Sequence, residues 1–134
     1  MATLDDVRRH ALALPRTDET VSWGSAHWRV SKKGFVWERP LRRGDVEALA
    51  ARGEAAPDGV VLGVRVPDLG AKEALLADDP AVYFTVPHFD GYPSVLVRLD
   101  RLDDDELREL VVEAWLDRAP KTVARAWLAE QDGP

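Results

Sequence analysis

An α+β fold, with an antiparallel sheet flanked by helices, is what this sequence of 134 residues predicts. Three observations carry it. Short stretches of alternating apolar residues follow one another through the middle of the chain, turn-forming residues join them closely, and segments with helical spacing gather at the two ends. The length suits one ordinary domain over residues 1–134.

In chain order, Thr3 and Asp6 form a capping-box pair in front of a helix whose Leu4, Val7, Ala11 and Leu14 share one stripe, and Pro15 closes it. Strands are expected at Thr20–Trp23 and His27–Val30, with Gly24-Ser25 as the turn between them. The stretch "SKKG", Ser31 to Gly34, then leads into a strand at Phe35–Glu38, so that Trp28 and Val30 face Phe35 and Trp37 across a hairpin rich in aromatic rings. Asp45 is placed to cap a short helix through Ala51; "EAAPDG" is a loop, and Val60–Val66 is a strand. Asp68 caps a helix through Ala77 carrying Leu69, Leu75 and Leu76, and Pro80 precedes a strand at Val82–Val86. The last strand, Ser94–Leu99, puts Val95 and Val97 on one face. "DDDE", Asp103 to Glu106, opens a helix with Leu107, Leu110, Val111, Ala114 and Trp115 on one stripe, and Pro120 begins a final helix carrying Val123, Ala124, Trp127 and Leu128.

Composition removes several functional classes. The chain is 46% hydrophobic and 31% charged with no cysteine, which excludes disulfides, a thiolate nucleophile and cysteine-ligated metal. The N-terminal "MATLDDVRRHALAL" mixes charges through its apolar positions and no run reaches membrane-spanning length, so a cytoplasmic protein with no membrane role is expected. The net charge of −6 is unevenly distributed, with net +2 from Met1 to Ala56 and net −8 from Pro57 to Pro134. Within "WRVSKKGFVWERPLRR", Trp28 to Arg43, six basic residues stand against the single acid Glu38. A polyanion would bind there.

The most crowded stretch is "TVPHFDGYPSVLVRL", Thr85 to Leu99. His88, Asp90 and Tyr92 offer a base, a carboxylate and a phenol, but at an unspecific spacing. The simpler reading makes Pro87 to Pro93 a connection between two antiparallel neighbours, bent at Asp90-Gly91, with Phe89 and Tyr92 folded onto the sheet. His27 reads as a half-buried histidine bonded to backbone. With the three histidines scattered, no metal site is expected. Asp103 to Glu106 suit the first turn of a helix rather than an iron site. There is no phosphate loop, nucleophile elbow or Ser-x-x-Lys motif, so neither catalytic residues nor a cofactor are expected. Trp115 and Trp127 belong to core stripes. For Trp23, Trp28 and Trp37 burial is the simpler reading, with a ligand or partner surface as the alternative.

The motifs "SWGSAHWRV…GFVWERP", "VLGVRVPDLGAKEALL", "FTVPHFDGYPSVLVRL" and "EAWLDRAPK" together resemble the MmcQ/YjbR family of small bacterial proteins, from about Val7 to Trp127. The resemblance implies a CyaY-like α+β fold and a DNA-binding role. Two functions follow. In the first, a non-enzymatic module contacts DNA phosphates weakly and without sequence preference through Arg29, Lys32, Lys33, Arg39, Arg42 and Arg43, with the Lys32-Lys33 turn as a wing tip. In the second, an unidentified protein or small ligand binds at Trp28, Trp37, His88, Asp90 and Tyr92, and the basic hairpin is only a solvated edge.

Overall fold

The computed structural model describes residues 1–131. Helix α1 (Leu4–Leu12) is followed by strands β1 (Thr17–Ser22), β2 (Ser25–Val30) and β3 (Lys33–Glu38), helix α2 (Arg43–Ala51), strand β4 (Val61–Arg65), helix α3 (Leu69–Asp78), strands β5 (Tyr83–Phe84) and β6 (Ser94–Arg98), and helices α4 (Asp104–Arg118) and α5 (Lys121–Gln131). The six strands form one sheet in the order β1-β2-β3-β4-β6-β5, antiparallel at every pairing.

Local chemistry sets the helix starts. The Thr3 hydroxyl accepts from the Asp6 N–H while Asp6 accepts from the Thr3 N–H, and Asp103 with Glu106 repeats the arrangement on α4. The acidic run is therefore a helix cap, with Asp104, Asp105 and Glu106 in the first turn at the positive end of the helix dipole. Asp68 caps α3 as expected. Asp45 is not the N-cap residue of α2; it is the third residue of the first turn, and its carboxylate accepts the N–H of Arg42, which is the N-cap.

Residues paired directly across an antiparallel sheet share a face, so register assigns each side chain to a layer. One row runs Glu19, Trp28, Val36, Val64, Val95. Its apolar members are buried under Val7, Ala11 and Leu14 of the α1 region and Leu107, Val111, Ala114 and Trp115 of α4, which together make the main core. The opposite row runs Thr20, His27, Trp37, Gly63, Leu96, Phe84 across all six strands. A smaller core, Leu49 of α2 with Val61, Phe84, Val86 and Leu96, covers only the β4-β6-β5 half of that face. Thr20, His27 and Trp37 remain outside it.

Both hairpin turns of the meander are two residues long and lie one step earlier than the sequence suggests. Trp23 (φ 53°) and Gly24 (φ 78°) join β1 to β2; Ser31 (φ 48°) and Lys32 (φ 69°) join β2 to β3. Positive φ at both central residues matches the twist of the flanking strands, which is why such short turns recur in hairpins. Trp23 is thus a turn residue, 96% exposed, and not the end of a buried strand. The pairing of β2 with β3 is interrupted by a bulge at Trp28/Arg29, which leaves Phe35 and Val36, consecutive residues, both buried in the main core.

Strand β5 is also shorter than expected, because only Tyr83 and Phe84 pair with β6, although Val82 and Val86 are buried beside them. The Pro87–Pro93 segment does join antiparallel neighbours. It opens with a 3-10 turn at Pro87–Phe89 and bends at Gly91 (φ 80°).

At Gly63 an added Cβ would overlap the Trp37 indole, which lies directly above it. Gly63→Ala is therefore expected to lower stability by about 1–3 kcal/mol through overpacking. In a Trp37→Ala background the same change should cost a small fraction of that, and urea unfolding of the four proteins measures the coupling. Trp23→Asn removes a bulky residue from a left-handed turn and creates the favoured Asn-Gly pair, so an increase of about 0.5–1 kcal/mol is expected in the same assay.

Candidate functional site

The outer half-face becomes a site because three elements meet at its border. Arg39, just after β3, is 6% exposed and pairs through Nη1 with Asp45 of α2 at 3.0 Å, with both side chains almost wholly enclosed. The same guanidinium lies over the Phe89 ring, 5.3 Å from its centroid, which ties the Pro87–Pro93 segment to α2. From below, Lys72 of α3 donates to the carbonyls of Phe89 (2.6 Å) and Tyr92 (2.9 Å). Burial lowers the Lys72 pKa, and Asp90 partly opposes that shift. Removing one member of a buried ion pair leaves the other uncompensated, at a cost of about 3–5 kcal/mol.

Between these anchors and the β1-β2 turn is a cavity of about 640 Å3 whose lining includes Trp23, His27, Trp37, Arg39, Arg42, His88 and Phe89. Its floor is flat. The His27 and Trp37 rings lie nearly parallel, 13° apart with centroids 6.3 Å from each other, and Trp37 is seated on Gly63. Among the described residues, Arg39 Nη2 is buried and donates no hydrogen bond.

The structure redistributes the residues singled out from sequence. Of the aromatic set, Trp37 and His88 line the cavity. Trp28 does not: it is fully buried in the main core, its Nε1 donating to Glu19 at 2.9 Å, and has no surface to offer a ligand. Asp90 and Tyr92 are exposed but lie outside the cavity lining, and Tyr92, 61% exposed, does not fold onto the sheet as expected. Among the described residues no hydrogen bond connects His88, Asp90 and Tyr92, so they do not form an acid–base constellation. Among the described residues no hydrogen bond joins the His27 ring to backbone, and its neighbour is the Trp37 ring.

The basic set divides as well. Arg29 makes a two-point contact to Asp18, both bonds at 2.9 Å, and Arg39 is enclosed with Asp45. Arg42 and Arg43 are exposed but follow the far end of β3, and Arg43 pairs with Glu47. They are separated from the Lys32-Lys33 tip by the strand's length, about 17 Å. The tip finds other company: Lys33 lines a shallow depression with Arg118, Lys121 and Arg125, where α4 meets α5. Among the described residues no ion pair involves Lys32, Lys33, Arg118, Lys121 or Arg125. These helical cations stand far from the basic hairpin in sequence, and linear charge counting cannot associate them with it.

Among the described residues no group of three or more His, Asp or Glu is arranged to hold a metal ion, and no helix is long and apolar enough to cross a membrane. The molecule is thus a single α+β domain built on a six-stranded antiparallel sheet, helix-covered on one face and half-covered on the other. A family model described as YjbR matches residues 12–116, and the chain belongs to that family. It is 54% identical over 129 residues to the uncharacterized proteins Mb2600 of Mycobacterium bovis and Rv2570 of Mycobacterium tuberculosis, covering 96% of this chain and 98% of each relative. The crystal structure of Deinococcus radiodurans protein DR2400, with family-model domain DUF419, shares the fold at a TM-score of 0.66 and 22% identity, covering 100% of this chain and 91% of that one.

Burial lowers the His27 pKa from its ordinary value, since desolvation penalises the imidazolium. Its contribution to stability is accordingly complete above the unfolded-state value of about 6.5 and is lost as pH falls through that value towards the folded one. An NMR titration of the ring should give a midpoint below 6.5, and Trp37→Ala, by admitting water, should move it upward; an unmoved midpoint would show that the indole is not the shield.

Proposed function

We propose that the protein is a non-enzymatic, cytoplasmic DNA-binding module that grips duplex phosphates through Lys32 of the β2-β3 turn, Lys33 at the start of β3, and the start of α5. The observation that carries this reading is the meeting of Lys33 with Arg118, Lys121 and Arg125 at one end of the sheet, none of them in an ion pair among the described residues. Lys121 is the first residue of α5, where unsatisfied backbone N–H groups and the positive end of the dipole also favour phosphate. Lysine and arginine side chains gathered around a shallow depression suit backbone contact that tolerates any sequence.

Binding of this kind is weak. Five cations release about four to five counterions at most, while the net charge of −6 repels the duplex from the rest of the surface. The binding residues in this reading differ from a simple basic hairpin, because Arg29 and Arg39 are already committed to Asp18 and Asp45.

Fluorescent duplex DNA titrated at several salt concentrations tests it. The wild-type protein should lose affinity steeply with salt, and Lys32→Glu/Lys121→Glu/Arg125→Glu should flatten the slope by about three counterions. Arg42→Glu/Arg43→Glu, at the far end of β3, should change little. Absence of binding at low salt by folded protein, or an unchanged slope in the triple variant, would refute the assignment.

A further inference from the structure

We propose that the cavity on the uncovered half of the sheet is a binding site for a small, flat heteroaromatic ring joined to an anionic group. It is separate from the basic end. Its volume, about 640 Å3, lies within the range of small-molecule sites, and its lining sets the rings of Trp37 and Phe89 among polar groups that include the Glu38 carboxylate as well as Arg39 and Arg42.

Each part of the ligand has a counterpart. The half-buried Trp37 and the near-parallel His27 ring give a stacking surface held flat from beneath, since position 63 has no side chain to tilt the indole. Arg39 lines the cavity but is only 6% exposed, and its charge is balanced by Asp45 at 3.0 Å, so it fixes the wall and does not capture the anion. Ser22, His27 and His88 on the same lining carry groups that can donate to ring oxygens and nitrogens. The anion belongs at the mouth, where Arg42 is exposed and is in no ion pair among the described residues.

Trp23 stands on the rim. A bulky side chain in a left-handed turn is unfavourable, and its indole, 96% exposed, receives no packing in return. Yet it lines this cavity. Strain retained at an exposed aromatic residue on the rim is accounted for when that ring closes over a bound one.

The probe is inosine 5′-monophosphate, with inosine and inorganic phosphate as its two halves, added to the 15N-labelled full chain. Saturable shifts of the Trp37 indole N–H are expected with a Kd below about 1 mM; inosine should bind about tenfold more weakly, and phosphate should leave Trp37 unmoved. Arg42→Glu should weaken the nucleotide about tenfold without changing inosine binding. Trp23→Asn, although expected to be the more stable protein, should weaken both. A still Trp37 signal at millimolar nucleotide, equal affinity for nucleotide and inosine, or shifts confined to Lys33 and Arg125 would each overturn the proposal. The last of these would assign phosphate capture to the basic end.

Discussion

A six-stranded sheet has two faces to shield, and this chain has helices for about one and a half of them. The first face is closed by α1 and α4 over Trp28, Val36, Val64 and Val95. On the second, α2 places Leu49 over Leu96 and Phe84 and reaches no further. The rest of that face must tolerate water while its backbone stays paired. It does so with Thr20 and His27 and with an indole laid flat on a glycine, and the cavity is what this economy of helices leaves behind.

Polar bonds then shape the border that packing leaves open. The Arg39–Asp45 pair joins the end of β3 to the start of α2, and Phe89 stacks on the same guanidinium. Lys72 draws the Phe89 and Tyr92 carbonyls towards α3. Apolar packing alone would leave a seven-residue connection with two prolines free to choose among several paths; a cation at each side selects one. The segment's first half is therefore a wall, while its second half turns outward and leaves Tyr92 in solvent.

The sequence was most legible where a rule acts within a few residues. The capping box at Thr3, the Asp68 cap, the acidic opening of α4 and the apolar runs of β4 and β6 were all visible, because each depends on neighbours. Turn position was less so. Gly24-Ser25 looked better suited to a bend than Trp23-Gly24, and only the register Ser22↔Ser25 reveals that the tryptophan pays the conformational cost. Least legible was which charges are free. Arg29, Arg39, Arg42 and Lys33 look alike in the sequence, yet one is paired across β1, one enclosed by α2, one at a cavity mouth and one beside α5. Those fates depend on residues brought together by the tertiary fold.

The contact between α1 and α4 has a temporal side. The Ala2 N–H donates to the Leu102 carbonyl, Arg9 and His10 both reach Asp104, and Trp115 Nε1 donates to the Pro15 carbonyl, partners separated by about a hundred residues. The β1-β2-β3 meander is local and is free to pair early as the chain emerges from the ribosome, but the apolar side it presents to α4 has no cover until nearly the whole chain has been made. Helix α1 is made early and lies against β1 and β2, so through most of its synthesis the nascent protein carries chiefly Phe35 and Val36 of β3 on an open surface, and α4 acts as the late lid of the fold.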